Sequence, residues 1–137
     1  MTHPAEWNWF TERTRATRSS DTQGIVAYDE TGKIVAATVF DTFTVDSCCV
    51  HLAIDNALVI RRGFLNVLFE HAFITCNRDR MFASVLDTNE KSLSFIEKIG
   101  GWEVTRIPDG YAKGVDFVIM RMDREGCRWL NKQEEAA

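Results

Sequence analysis

His51 and Asp55 lie four residues apart at the end of Cys48-Cys49-Val50-His51-Leu52-Ala53-Ile54-Asp55, a run that is otherwise nearly all apolar. On a strand an even spacing puts both side chains on one face, and histidine is the side chain that exchanges a proton near neutral pH. The pair reads either as a proton acceptor with an acidic neighbour or as a strand histidine satisfied by its surroundings. Arg61-Arg62-Gly63 precedes an apolar periodic stretch. A helix N-terminus offers unpaired N–H groups and a partial positive charge, glycine admits close approach, and arginine adds charge-assisted hydrogen bonds, which together suit a pyrophosphate. Without a ligand the same triplet is a polar loop. Asn89 stands at the start of a second periodic stretch, where its side chain can cap free N–H groups. Cys48, Cys49, Cys76 and Cys127 show no Cys-x-x-Cys pairing and no histidine at metal spacing, so they read as reduced thiols and no metal site is expected. Arg13, Arg15 and Arg18 form a local basic patch, either a solvated segment or a contact for an anion.

The elements that must position these residues follow from periodicity. Residues 5–13, with Trp7, Trp9 and Phe10, predict a short helix, and the Ser-, Thr- and Arg-rich stretch 15–23 a loop. Residues 24–28 and 33–43 read as strands joined by a turn at Asp29-Glu30-Thr31-Gly32, a β-hairpin. Residues 48–54 read as a central strand covered on both faces. From 59 to 76 the period changes: Leu65, Leu68, Phe69, Ala72, Phe73 and Cys76 form one helical stripe, expected to be core. Residues 81–86 are a buried strand. A second helix carries Ser92, Leu93, Ile96 and Ile99 and stops at Gly100-Gly101. Two further strands, 102–107 and 115–122, are expected to turn at Pro108-Asp109-Gly110. Strand, helix, strand, helix, strand calls for right-handed crossovers between parallel strands. With hairpins at both ends, the fold class is α/β (α+β): a mixed, mostly antiparallel twisted sheet with a central parallel strand pair and helices on both faces.

The chain has 137 residues, of which 45% are apolar and 26% charged, an ordinary globular composition for one domain, expected over 1–130 with a polar tail over 131–137. The net charge of −4 argues against nucleic acid as the main partner. No apolar run approaches the ~20 residues that span a bilayer, and the first residues lack a basic stretch leading into an apolar one. A cytoplasmic location without membrane association is the expectation.

Residues 48–102 resemble the core of the GNAT superfamily of N-acetyltransferases. The strand 48–55 running through Arg61-Arg62-Gly63-Phe64 into the helix with Leu68 and Ala72-Phe73 is similar to the family's acetyl-CoA motif. Asp87-Thr88-Asn89-Glu90-Lys91-Ser92 followed by Phe95-Ile96-Glu97-Lys98-Ile99-Gly100-Gly101-Trp102 resembles its second signature. Residues 123–130, which close on Cys127-Arg128-Trp129-Leu130, further resemble small acetyltransferase-like proteins of bacteriophages.

The resemblance implies acetyl-CoA as cofactor and an amine acceptor, a protein N-terminus, a lysine or a small molecule, attacking the thioester directly. The backbone of Leu52, Ala53 and Ile54 would hold the thioester carbonyl, Arg61, Arg62, Gly63 and Phe64 the pyrophosphate, and Asn89, Ser92 and Phe95 the pantetheine side. His51 or Asp55 would take the amine proton. Two departures stand out: a single loop glycine where the family has two or more, and Ile96 where it often has a tyrosine acid. These departures favour the alternative of an inactive GNAT-fold structural or interaction protein, such as a phage component; the Asn89 segment favours the enzyme. A homodimer is left open.

Overall fold

The computed structural model describes residues 1–61 and 63–130. Arg62 and the expected tail 131–137 lie outside the described residues. Helix α1 (Pro4–Thr11) starts with Pro4 in its first turn and a reciprocal cap between His3 and Glu6, two devices that satisfy or avoid the free N–H groups of a helix start. Strands β1 (Gln23–Tyr28) and β2 (Ile34–Asp41) form the expected hairpin. The Asp29 carboxylate folds the turn by accepting from the backbone N–H groups of Thr31 and Lys33, at 2.8 and 3.0 Å. β3 (Ser47–Ile54) follows; it ends before Asp55, so the even-spacing argument for a shared strand face stops at the strand boundary.

The helix expected over 59–76 is divided. A single turn, α2 (Leu58–Arg61), gives way to α3 (Phe64–Glu70), which runs on as a five-residue π-helical turn (His71–Thr75). The division falls at Gly63, whose φ of 92° is a left-handed conformation that an L-residue adopts only under strain. β4 (Arg80–Leu86), α4 (Glu90–Lys98), β5 (Trp102–Ala112) and β6 (Val115–Asp123) complete the chain. The turn between the last two strands is not at Pro108-Asp109-Gly110. Those residues continue β5 through an irregular register between Ile107 and Ala112, and the chain reverses at Lys113-Gly114, where Gly114 has a φ of 81°.

The six strands lie in the order β1-β2-β3-β4-β6-β5. Among the described residues β3 and β4 are the one parallel pair of neighbours, and every other adjacent pair is antiparallel. β5 also runs parallel to β4, but β6 inserts between them, so the second crossover joins strands that do not touch. The register sorts the side chains. Ala37, Val39 and Ala53 face α1 and pack with Trp7 and Phe10. Ala36, Phe40, Cys48, Met81 and Met122 face the other way, against Leu65, Leu68, Phe69, Ala72 and Phe73 of the second helical unit. α4 lies on that same face, its Leu93 and Ile96 against Val85, Val118 and Met120. The expected stripe is therefore core, with helices on both faces of a mixed sheet. The segment after β6 packs back on it, burying Cys127 and Leu130. Cys48 and Cys49 point to opposite faces, and no disulfide joins cysteines among the described residues. Among the described residues no helix is long and apolar enough to cross a membrane.

Candidate functional site: a parted pair of central strands

β3 and β4 pair at Ser47↔Arg80, Cys48↔Met81 and Cys49↔Phe82, and there the ladder stops although β3 runs on to Ile54 and β4 to Leu86. Central strands covered on both faces should be buried throughout. Here Val50, His51, Leu52, Phe82 and Ala83 are only half-buried and Ser84 is exposed, which marks a gap in the middle of the sheet. Backbone N–H and C=O groups along its walls have a ladder partner on the outer side alone, and such groups are strong hydrogen-bonding sites. Because the strands are parallel, the chain leaves each of them for α3 and α4 at the C-terminal edge, beyond the last β3–β4 pair, the place where open sheets with parallel strands receive ligands.

At one corner stands Gly63, preceding α3 with no side-chain cap among the described residues. Its left-handed φ requires glycine, but an added Cβ would meet only Asn66 Oδ1 at 3.8 Å, so the space above it is open. Phe64 is turned into the core, which leaves its backbone N–H as its contribution. Arg61 closes α2. At the other corner Asn89 caps α4, its Oδ1 accepting from Ser92 N–H at 3.2 Å, which leaves the Asn89 amide donors to other partners. Replacing this cap by alanine is expected to cost about 0.5–2 kcal/mol, read as a lower urea midpoint with an unchanged slope. Phe95, one turn further, packs half-buried against the α3 core. Gly101 ends this corner; a Cβ there would meet Ile96 Cγ2 at 2.6 Å, so glycine is what lets α4 close onto the sheet.

His51 faces the α1 side of the sheet, where its Nε2 lies 3.0 Å from Asp41 Oδ2. The strand register explains the contact: Val39 opposes His51 and Asp41 opposes Cys49, so Asp41 is the diagonal neighbour. Asp41 is buried. An ionised carboxylate only accepts, so with Asp41 ionised and the ring neutral this contact selects the tautomer with the hydrogen on Nε2 and the lone pair on Nδ1. Sequence reasoning missed Asp41, because the pairing of β2 with β3 is what brings it to the ring. Asp55, the other expected acceptor, is bound at both oxygens by Arg13, Nε to Oδ1 at 3.0 Å and Nη2 to Oδ2 at 2.9 Å. The Arg13 guanidinium holds its carboxyl below the usual range, making it a weaker base. Of the two tyrosines, Tyr28, on edge strand β1, donates to Glu6 Oε2 at 2.5 Å, and Tyr111 stacks edge-on against Phe117. A surface hollow of about 250 Å³ is lined by Tyr28, Asp29, Val35, Asn56 and Val59 and lies outside the gap.

This architecture is the fold of the GNAT N-acetyltransferases. A point variant of spermidine N-acetyltransferase SpeG from Vibrio cholerae superposes with a TM-score of 0.70 at 14% identity, covering 94% of this chain and 76% of that one. SpeG in complex with CoA and spermine gives 0.67 at 14%, over 77% and 68% of the two chains. The ribosomal-protein-S5-alanine acetyltransferase from Vibrio fischeri gives 0.65 at 18%, over 78% and 64%. No family model and no curated protein sequence matches the chain.

Proposed function

We propose that the protein is an acetyl-CoA-dependent N-acetyltransferase that transfers an acetyl group to a primary amine by direct attack. The observation that carries this reading is the parting of β3 and β4 after three pairs, with two helix N-termini at the open end. The donor set fits an acyl-CoA: the backbone N–H groups that open α3, which have no side-chain cap, for phosphate, a half-buried apolar wall of Val50, Leu52, Ala83 and Phe95 for the pantetheine, and the strand backbone from Leu52 to Ile54, laddered to β2 but not to β4, for a carbonyl. When bound, acetyl-CoA supplies an activated acyl group. His51 Nδ1 takes the proton from the attacking nitrogen, while Asp41 fixes the ring and stabilises the imidazolium. The new bond is N–C and the broken one C–S. A thiolate leaves as a far weaker base than an alkoxide or an amide anion, so solvent can supply its proton and breaking the C–S bond requires no tyrosine acid. Ile96 therefore does not stand against turnover, since it serves packing with Val85, Val118 and Met120.

Titrating the protein with CoA tests the reading. A ligand bound by the native state alone raises apparent stability by RT ln(1 + [L]/Kd), so a millimolar concentration should raise the melting temperature if Kd is ~10 μM, by about 2.7 kcal/mol of added stability. Release of free thiol from acetyl-CoA with a panel of amines should follow. Stabilisation without thiol release would favour the inactive alternative, and no stabilisation would remove the reading.

A further inference from the structure

The segment after α1 crosses the gap on the α1 side, and two of its arginines hold opposite walls. Arg13 grips Asp55, just past the end of β3. Arg15 reaches the Ser84 carbonyl on β4, at 3.5 Å, with its guanidinium over the rings of Tyr111 and Phe117 at 5.4 and 5.6 Å. The register fixes where this is. Cys49 pairs with Phe82, so two residues further on His51 and Ser84 stand level with one another, on the same face and on opposite sides of the parted strands. Arg15 and His51 thus flank the mouth from its two walls.

Charge at this mouth is unevenly committed. The carboxylate of Asp41 is engaged by His51 and Thr42, that of Asp55 by Arg13, and that of Asp123, further along this face, by Arg121. Among the described residues no carboxylate pairs with Arg15, which meets only a backbone carbonyl and two aromatic faces. An amine that also carries an anion would find that cation waiting, held against rotation by the rings.

We propose that the acceptor is a small amine bearing a carboxylate, its anion bound by Arg15 and its nitrogen presented to His51. The inference rests on the acetyltransferase reading above. It assigns Arg15 to binding and specificity, since it touches the part of the acceptor that does not react.

The test compares amino acids with their carboxamides as acceptors, in the wild type, Arg15→Gln and Arg15→Lys. A charge-assisted hydrogen bond is strong enough for a preference of roughly tenfold or more in kcat/KM for the acid. Arg15→Gln should abolish that preference by raising KM for the acid, leaving kcat and the amide's KM nearly unchanged; Arg15→Lys should keep part of it. A second readout needs no turnover: in the presence of CoA, N-acetylated amino acids should raise the melting temperature of the wild type but not of Arg15→Gln, and their amides of neither. Preference for amides or for spermidine would overturn the proposal, as would an equal loss on acid and amide in Arg15→Gln, the mark of a strap that merely holds the loop. Absence of CoA binding would sink the acetyltransferase reading itself, whereas CoA binding with no response to the acetylated acid would overturn this inference alone.

Discussion

Replacing His51 by glutamine is expected to lower kcat for acetyl transfer by about 10²–10⁴-fold, the contribution typical of a positioned general base, while the affinity for CoA stays within a factor of about two. Glutamine retains an amide donor for Asp41, which is buried and would otherwise lose its ring partner. The fold is thereby kept while the basic lone pair at Nδ1 is lost. An amine must be neutral to attack, and an ammonium ion that reaches the site has to surrender its proton there. The rate of the wild type should accordingly fall towards acid pH. Asp41→Asn separates orientation from basicity: the ring remains, the carboxylate that fixes its tautomer does not, and an intermediate loss is expected. Asp55→Asn should instead loosen the segment after α1 through Arg13 and leave the pH profile in place. If His51→Gln and wild type turned over alike, with both folded, the proton would have to leave through water or the acceptor itself.

Much of the fold was legible because it is written in local periodicity. The β-branched and aromatic runs that became β1, β2 and β6, and the stripe Leu65, Leu68, Phe69, Ala72 and Phe73, each follow from local residue type and spacing, and each formed the expected element. The helix stop at Gly100-Gly101 was also readable, since Gly100 takes a φ of 112° and Gly101 leaves no room for a side chain. What failed depended on competition between a local signal and a distant partner. Pro108-Asp109-Gly110 has the composition of a turn, yet Asp116 Oδ1 accepts from Asp109 N–H at 2.9 Å and carries the strand past it. Gly63 looked like a loop before one long helix, whereas its left-handed backbone separates two.

The candidate site was half legible for the same reason. His51 and Asn89 announce themselves by type and place in the sequence. Asp41 does not, because it sits at the end of a strand read as structural, and only the β2–β3 register makes it the neighbour of the ring. The parting of β3 from β4 leaves no mark in composition: Val50, Leu52 and Ala83 are the residues a fully paired strand would carry. Asp55 was chosen by spacing and claimed by Arg13, a residue 42 positions away that no local pattern connects to it.

Truncating Phe69 to alanine is expected to destabilise the protein by roughly 3–5 kcal/mol, the range found when a buried phenylalanine site is emptied. Phe69 is 2% exposed and lies between Phe73 and Trp129, with ring centroids 6.0 and 6.5 Å away and near-parallel planes. Those neighbours are themselves tied down. Trp129 donates from Nε1 to the Ile99 carbonyl at 2.9 Å, and its own backbone carbonyl accepts from Asn66 Nδ2 at 2.8 Å, so the residue ties the end of α4 to α3. A side chain so anchored moves little into a void, and a site that cannot collapse pays the upper part of the range. Domains of this size commonly hold only about 5–15 kcal/mol in all, so the variant should melt many degrees lower and unfold at a much reduced urea midpoint. Phe69→Leu, which keeps most of the volume, should retain most of the stability. The same ring holds α3 against the sheet and so fixes the helix start at Gly63 beside the parted strands. Phe69→Leu should therefore still bind CoA, whereas any folded fraction of Phe69→Ala should bind it more weakly, because the helix start it leaves behind is less firmly held. A Phe69→Ala protein that melted within a degree of wild type would mean that the stripe does not form the core.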